Sequence, residues 1–459
     1  MLRKVINFSL KVFLLVFPMI ILPWGKAFEK DFFVTVQFII IGIISSGFTM
    51  KECKYYAYSL KMMHWFFIYT FFFCAALTQF ANNSYMWGLQ TSIETNVIAN
   101  FLIIIWMITF IFSTYINVKN INFTKSKIKS RIYKMSIKSK LTLGISLLLI
   151  GLVPFFTNGV SAYMYRTVYS ESTLGSFVKV QAISLLIQSI VVGFCLWLTI
   201  FSIIEYRKSE SFISKITVFI SFLTLLLNIP PLGVPRFEVA AVYCGILLYN
   251  IKKYHKNNIF LWVIVIGLFV LFPFLNAFRG TVSIDVDSTL IVNSIGSIDG
   301  NFLRADYDAY SMLLYTVEYI QKYGVTYGYQ LLGVLLFFVP RSIWTSKPDG
   351  SGATIIDSMV LGFDQNVSCP IVAEGYINFG IYGVILFSCI FARIAKKFDK
   401  IYWDKDINNQ LIEILYTSSV PFIFFIMRGD MLSTISFYIG FCGSLFIFKI
   451  LFLDKQIEV

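Results

Sequence analysis

Apolar runs of about 20 residues recur along this chain from beginning to end, and that feature limits its fold more than any other. A hydrocarbon layer about 30 Å thick needs about 20 apolar residues to cross it as a helix. Inside that layer every backbone N–H and C=O must be satisfied by the segment itself, which leaves helices or closed barrels. Runs of this length predict helices. We place twelve spans, near 6–24, 32–50, 62–81, 96–117, 141–157, 180–204, 212–229, 233–250, 259–278, 371–392, 409–427 and 431–452. The seventh and eighth are short and separated by Pro230, Pro231 and Pro235. The first follows Leu2-Arg3-Lys4 as a signal peptide would, but no small-residue cleavage site follows at Trp24-Gly25-Lys26, so it reads as a retained helix. Composition agrees: 57% of the residues are apolar and 14% charged, against roughly 45–50% and about 25% in soluble domains. The chain is an all-α polytopic membrane protein by this reading, and a disordered chain or a secreted disulfide scaffold is excluded.

The net charge of +13 would suggest nucleic acid in a soluble protein, but here it sorts by loop. With both termini inside, the inner segments hold 27 of the 38 basic residues and 9 of the 25 acidic ones, a net of +18. The outer segments hold 11 and 16, a net of −5. No nucleic-acid partner is expected. Residues 1–278 then carry spans one to nine, 279–370 form one long extracytoplasmic segment, and 371–459 carry spans ten to twelve. A structureless loop of 92 residues is improbable, so the long segment is expected to form a small domain or lid. Within it, residues 331–340 are apolar but too short to span and suit a re-entrant or interfacial segment.

Lysine and arginine divide differently between the faces. Of 28 lysines, five lie outside; of ten arginines, six do: Arg166, Arg236, Arg279, Arg304, Arg341 and Arg428. The topological rule treats the two alike, so a second demand is acting. Arginine's rigid fork of five donors matches phosphate or carboxylate oxygens in pairs. An outer site for a phosphate or pyrophosphate would use it; pairing with the outer acids is the alternative.

Several segments supply candidate partners. Over 302–322, Arg304, Asp308, Ser311, Tyr315, Glu318 and Lys322 fall at spacings of 4, 3, 4, 3 and 4, which predicts an amphipathic helix with an Arg304–Asp308 pair on its polar stripe. Pro340 to Gly350 is a proline-fixed turn carrying Arg341, Trp344 and Lys347. Glu374 stands at the start of the tenth span, where an ionisable group is costly; Gly375, Gly380 and Gly383 follow it and suit close helix packing. Arg428-Gly429-Asp430 is the whole turn between the last two spans. Both histidines, His64 and His255, fall on the inner side, and no zinc spacing, phosphate loop or serine elbow occurs. Asp306-Tyr307-Asp308 and Asp285-Val286-Asp287 weakly resemble metal-holding aspartate pairs, but no metal or cofactor is expected.

Arg304 with an acid two residues on, Pro340-Arg341 with Trp344 and Lys347-Pro348, Glu374-Gly375-Tyr376 with Asn378 and Gly380, and Arg428-Gly429-Asp430 together resemble the oligosaccharide repeat-unit polymerases of bacterial surface polysaccharides, the O-antigen polymerase (Wzy) family. The similarity covers about 279–430; the first 278 residues match in hydropathy and span number. The chain departs from the related O-antigen ligases in having no outer histidine.

The resemblance implies a metal-independent glycosyltransferase of the bacterial cytoplasmic (inner) membrane, acting on its outer side. Its donor and acceptor are glycans on undecaprenyl pyrophosphate, set in membrane lipid, and a chain-length regulator protein is the implied partner. Arg279, Arg304, Arg341 and Arg428 would surround the pyrophosphate, with Glu374 or Asp308 as the base. Arg236, Asp306, Trp344, Lys347, Tyr376, Asn378 and Asp430 would contact substrate. A lipid-linked oligosaccharide flippase or other transporter, or an O-antigen ligase, is the rival expectation.

Overall fold

The computed structural model describes residues 2–115, 132–173, 181–250, 258–271, 298–359, 367–404 and 409–456. Eight of its helices are long and apolar enough to cross a membrane: Phe32–Tyr55, Leu60–Asn82, Ile93–Thr114, Ile137–Asn158, Ile183–Ser209, Ile371–Trp403, Gln410–Arg428 and Met431–Phe452. A ninth candidate is broken. Val5–Ile21 and Trp24–Lys30 meet at 60°, at a break that contains Pro23. The predicted seventh to ninth spans appear as shorter apolar helices, Phe212–Asn228, Ala240–Asn250 and Ile259–Leu271. The fold is thus an all-α polytopic membrane protein with eight or nine full-length spans among the described residues, where twelve were expected.

Side chains capping helix starts supply acceptors that the apolar runs lack. Asp31 accepts from Val34 N, Ser59 from Met62 N, and Asn409 from Ile412 N. The two-stranded antiparallel sheet pairs Ile132–Met135 with Leu453–Gln456, and Gln410 Oε1 accepts from Tyr133 N beside it at 2.8 Å.

Two apolar cores fill the bundle. Leu60–Asn82 is the most enclosed span, 94% buried over its apolar window, and lies in the first core with Phe66, Phe67, Phe72 and Phe80. The second core is built around Trp197, Phe201, Phe441 and Phe448. Helix Gln410–Arg428 stands between them. Tyr416, Val420, Ile423 and Met427, spaced 4, 3 and 4, face the first, while Ile414 and Phe422 face the second. Its last residue, Arg428, therefore emerges at the seam.

Contacts sort the turns into two ends. At one, Asp399 Oδ1 accepts from Leu60 N at 2.9 Å and Lys140 pairs with Glu205 at 3.8 Å. At the other, Lys30 Nζ donates to Asn83 Oδ1, and Gln79 Nε2 donates to the carbonyls of Phe302 and Tyr307 at 3.0 and 2.8 Å. The second end carries Arg236, Arg304 and Arg428.

Two predicted elements differ from expectation. The amphipathic helix begins at Ala309 and runs to Tyr323, not from 302. Arg304 is extended (φ −99°, ψ 154°) and leads into a short 3-10 turn, Ala305–Tyr307, so no Arg304–Asp308 helical pair forms. The predicted polar stripe divides: Asp308, Ser311 and Tyr315 are buried, Glu318 is half-buried and Lys322 is exposed, while Tyr310 of the opposite face also makes buried polar contacts. Ser311 Oγ donates to Gln79 Oε1 and accepts from Met86 N, and Tyr310 OH donates to Asn96 and Asn100, all buried. The helix is locked into the bundle by matched polar groups, where an amphipathic surface helix would turn them to water.

The predicted tenth span is likewise interrupted. Phe379 (φ −143°, ψ 21°) and Gly380 (φ +61°, ψ −145°) leave helical geometry, which separates 371–378 from 381–403. Gly380 adopts a conformation that side-chain-bearing residues avoid. Beyond the break the chain packs so closely that a Cβ on Gly383 would lie 1.9 Å from Gly375 O. Glu374 therefore sits on a two-turn helix ahead of the main span. Residues 329–335 form a seven-residue helix with Leu332, Leu335 and Phe338 exposed around it.

Candidate functional site

The turns at the arginine end bring one group of charged residues together. Met427, packed in the first core, fixes the end of helix Gln410–Arg428 and delivers Arg428 against the 305–308 turn. Arg428 Nε donates to Asp308 Oδ1 at 2.9 Å, and its Nη2 donates to Ala305 O at 2.9 Å. Asp308 Oδ2 accepts from Ser368 N at 3.2 Å. The Asp308 side chain is 2% exposed and that of Arg428 34%. The guanidinium is thus held from behind by a buried carboxylate, with part of its fork open.

Arg236 lies beside it. Its Nη1 meets Asp306 Oδ2 at 2.6 Å, with both side chains largely buried. Asp306 and Asp308, adjacent in the sequence motif, thus turn to two different arginines and do not converge as a metal-holding pair. Among the described residues no three His, Cys, Asp or Glu side chains form a metal-holding group.

A second knot joins the start of helix Ser351–Met359, at the end of the 340–350 loop, to the start of the last helix. Glu374 Oε2 accepts from Ser351 Oγ at 2.7 Å and Oε1 accepts from Met431 N at 2.8 Å. Asp430 caps helix Met431–Phe452, its Oδ1 accepting from Leu432 N, while Oδ2 accepts from Gly352 N, each at 2.9 Å. Glu374 is 1% exposed. Burial pushes the Asp430 carboxyl above its ordinary range, against the pull of its backbone donors. Burial first, and then the charges of Glu374, Asp430 and Asp308, push the Cys369 thiol well up.

The remaining predicted residues are mostly occupied with holding the fold. Arg341 donates to Lys347 O and to Asp349 and Pro348 O of its own loop, and half its side chain is exposed. Lys347 is buried; its Nζ donates to the carbonyls of Phe337 and Val339 at 2.7 and 2.9 Å, and desolvation lowers its pKa. Asn378 ties the broken helix to the 329–335 helix, with Oδ1 accepting from Leu331 N and Nδ2 donating to Glu374 O. Trp344 is half-buried, edge-on to Tyr329, with Nε1 donating to Ser346 Oγ. Tyr376 is half-buried on the two-turn helix, and Arg304 is half-buried at the turn. Arg279 lies outside the described residues.

The structure therefore pairs Arg236, Arg341 and Arg428 with aspartates, as the acid-pairing alternative expected, and still leaves the Arg428 fork partly open. Sequence reasoning missed Ala305 O, Ser351, Gly352 N, Ser368 N and Met431 N. Four of these act through backbone atoms, which no side-chain motif reveals. Comparison of the chain with protein-family models, curated proteins and solved structures finds no match.

Proposed function

We propose that this protein is a glycosyltransferase that joins oligosaccharide repeat units carried on undecaprenyl pyrophosphate, at the outer face of a bacterial cytoplasmic membrane. The observation that carries this reading is the Arg428 fork. It is pre-oriented by buried Asp308 and Ala305 O, open over a third of its surface, and stands beside the Arg236–Asp306 pair at the end opposite the lysine-rich turns.

In the proposed reaction the acceptor sugar's hydroxyl oxygen attacks the anomeric carbon of the donor glycan. The bond from that carbon to the pyrophosphate oxygen breaks, and undecaprenyl pyrophosphate leaves with the electron pair. Donors fixed before the reaction stabilise that developing charge without reorganising. The open N–H groups of Arg428 serve the pyrophosphate, with Arg236 close by. Glu374 and Asp308 are too enclosed to take a proton from a substrate hydroxyl. Asp306, 17% exposed in its side chain, is the carboxylate of the cluster best placed as base. Trp344 offers a ring face to sugar. A chain-length regulator is the expected partner.

Deleting the gene in the native strain tests the reading. Loss of long chains with one repeat unit still capping the lipid supports a polymerase. Loss of all repeat units points to a flippase or ligase and overturns it.

A further inference from the structure

We propose that Glu374 and Asp430 are positioning residues: a two-carboxylate clasp that fastens the start of helix Ser351–Met359, and the loop leading into it, to the last helix and thereby sets the Arg428 fork. The proposal rests on the reaction inferred above. Each carboxylate spends one oxygen on each side of the junction. Glu374 takes Ser351 Oγ from the first turn of helix Ser351–Met359 and Met431 N from the last helix; Asp430 takes Gly352 N from the same first turn and Leu432 N from the last helix. The loop lies hard against the clasp, since a Cβ on Gly350 would come within 2.6 Å of Asp430 Oδ2. Asp430 is two residues beyond Arg428, so seating it fixes where the preceding helix ends.

The two carboxylates differ in what an amide replacement does. Glu374 faces one hydroxyl and one N–H. In Glu374→Gln the amide oxygen keeps Met431 N and the amide nitrogen donates to Ser351 Oγ, because a hydroxyl accepts as readily as it donates. Asp430 faces only backbone N–H groups, those of Gly352 and Leu432 with that of Ser433 beside them. In Asp430→Asn the new NH2 must oppose one of them, donor to donor, with no rotation that relieves it. A catalytic base at Glu374 would reverse this order, because its amide cannot take a proton and would lose about 10²–10⁴-fold in rate.

The test uses the full-length protein in lipid nanodiscs, with hydrogen exchange at residues 350–355 and at 431–434, and kcat and KM for transfer between lipid-linked repeat units. Glu374→Gln is expected to keep wild-type exchange and a kcat within about threefold. Asp430→Asn is expected to speed exchange at 350–355 by about 10–100-fold and to lower kcat by about 100-fold with KM little changed. If Asp430→Asn does not accumulate, Ser351→Ala replaces it, with exchange there faster by about tenfold. Loss of kcat in Glu374→Gln with unchanged exchange, or unchanged exchange in the variants expected to loosen the loop, overturns the clasp. If wild-type protein transfers no sugar, the reaction reading fails, and the exchange contrast alone decides the clasp.

Discussion

Replacing Arg428 by lysine preserves the positive charge and removes the fork, so it isolates what the geometry is proposed to do. Guanidinium has five N–H donors. In this structure one, on Nε, goes to Asp308 and one, on Nη2, goes to Ala305 O, which leaves three for substrate. A lysine ammonium has three donors on a single nitrogen. If it satisfies Asp308 and Ala305 O, one remains; if it turns to substrate, buried Asp308 loses its partner. The substitution therefore costs two charge-assisted hydrogen bonds to the leaving pyrophosphate, each contributing about 1.5–3 kcal/mol. The sum, about 3–6 kcal/mol, corresponds to about 10²–10⁴-fold in kcat/KM. The assay is the glycan ladder on a polysaccharide gel from a deletion strain carrying the variant, with membrane abundance measured in parallel. Long ladders at wild-type intensity, from a variant present at wild-type level, would refute the fork argument, because a point charge would then suffice.

Other outcomes follow from the same contacts. Arg341→Lys should be far milder than Arg428→Lys, within about tenfold in activity, because the Arg341 fork is engaged by its own loop and exposed ion pairs contribute about 0–1 kcal/mol; a ladder compares the two directly. Asp308→Ala strips a buried partner from Arg428 and Ser368 N. Losing one member of a buried pair costs about 3–5 kcal/mol, and with Arg428 one-third exposed we expect about 2–3 kcal/mol, read as a lowered denaturation midpoint in detergent. Gly380→Ala forces a side chain into a φ of +61° at about 1–3 kcal/mol; an unchanged midpoint would show that the helix break relaxes freely. Trp344→Ala should raise KM about fivefold by removing a stacking face worth about 1 kcal/mol, while leaving the melting midpoint within error, since the ring is half-exposed.

The membrane class was legible because twenty-residue apolar runs have one common fate in a bilayer. The number of full spans was less so. Residues 212–228, 240–250 and 259–271 are apolar enough, yet among the described residues they form helices of 17 residues or fewer; 240–250 and 259–271 each end where the described residues end. The 302–322 segment misled for a different reason. Its polar residues fall at helical spacing, which is equally satisfied by a helix whose first turns are buried, with the Ser311 hydroxyl meeting Gln79. Asp308 is drawn out of that helix by Arg428, 120 residues away, and no local pattern encodes such a partner. Arg428 and Arg236 were singled out by arginine's excess on the outer side, Asp308 by the 302–322 spacing and Asp306 by the resemblance, and they meet as Arg428–Asp308 and Arg236–Asp306. Glu374 was singled out too, but its two hydrogen bonds to Ser351 and Met431 N turn it from an open carboxylate into an enclosed one. Burial of that kind depends on the loop and last helix closing over it.

The most direct test of the central claim is elongation by the purified protein. Reconstituted in proteoliposomes with a lipid-linked repeat unit as its sole substrate, it should convert single units into a ladder of dimers and longer chains. One undecaprenyl pyrophosphate should be released for each bond formed, and Arg428→Lys should stop both. Repeat units that cross the bilayer yet stay single, with no lipid pyrophosphate released, would contradict the account and favour a transporter.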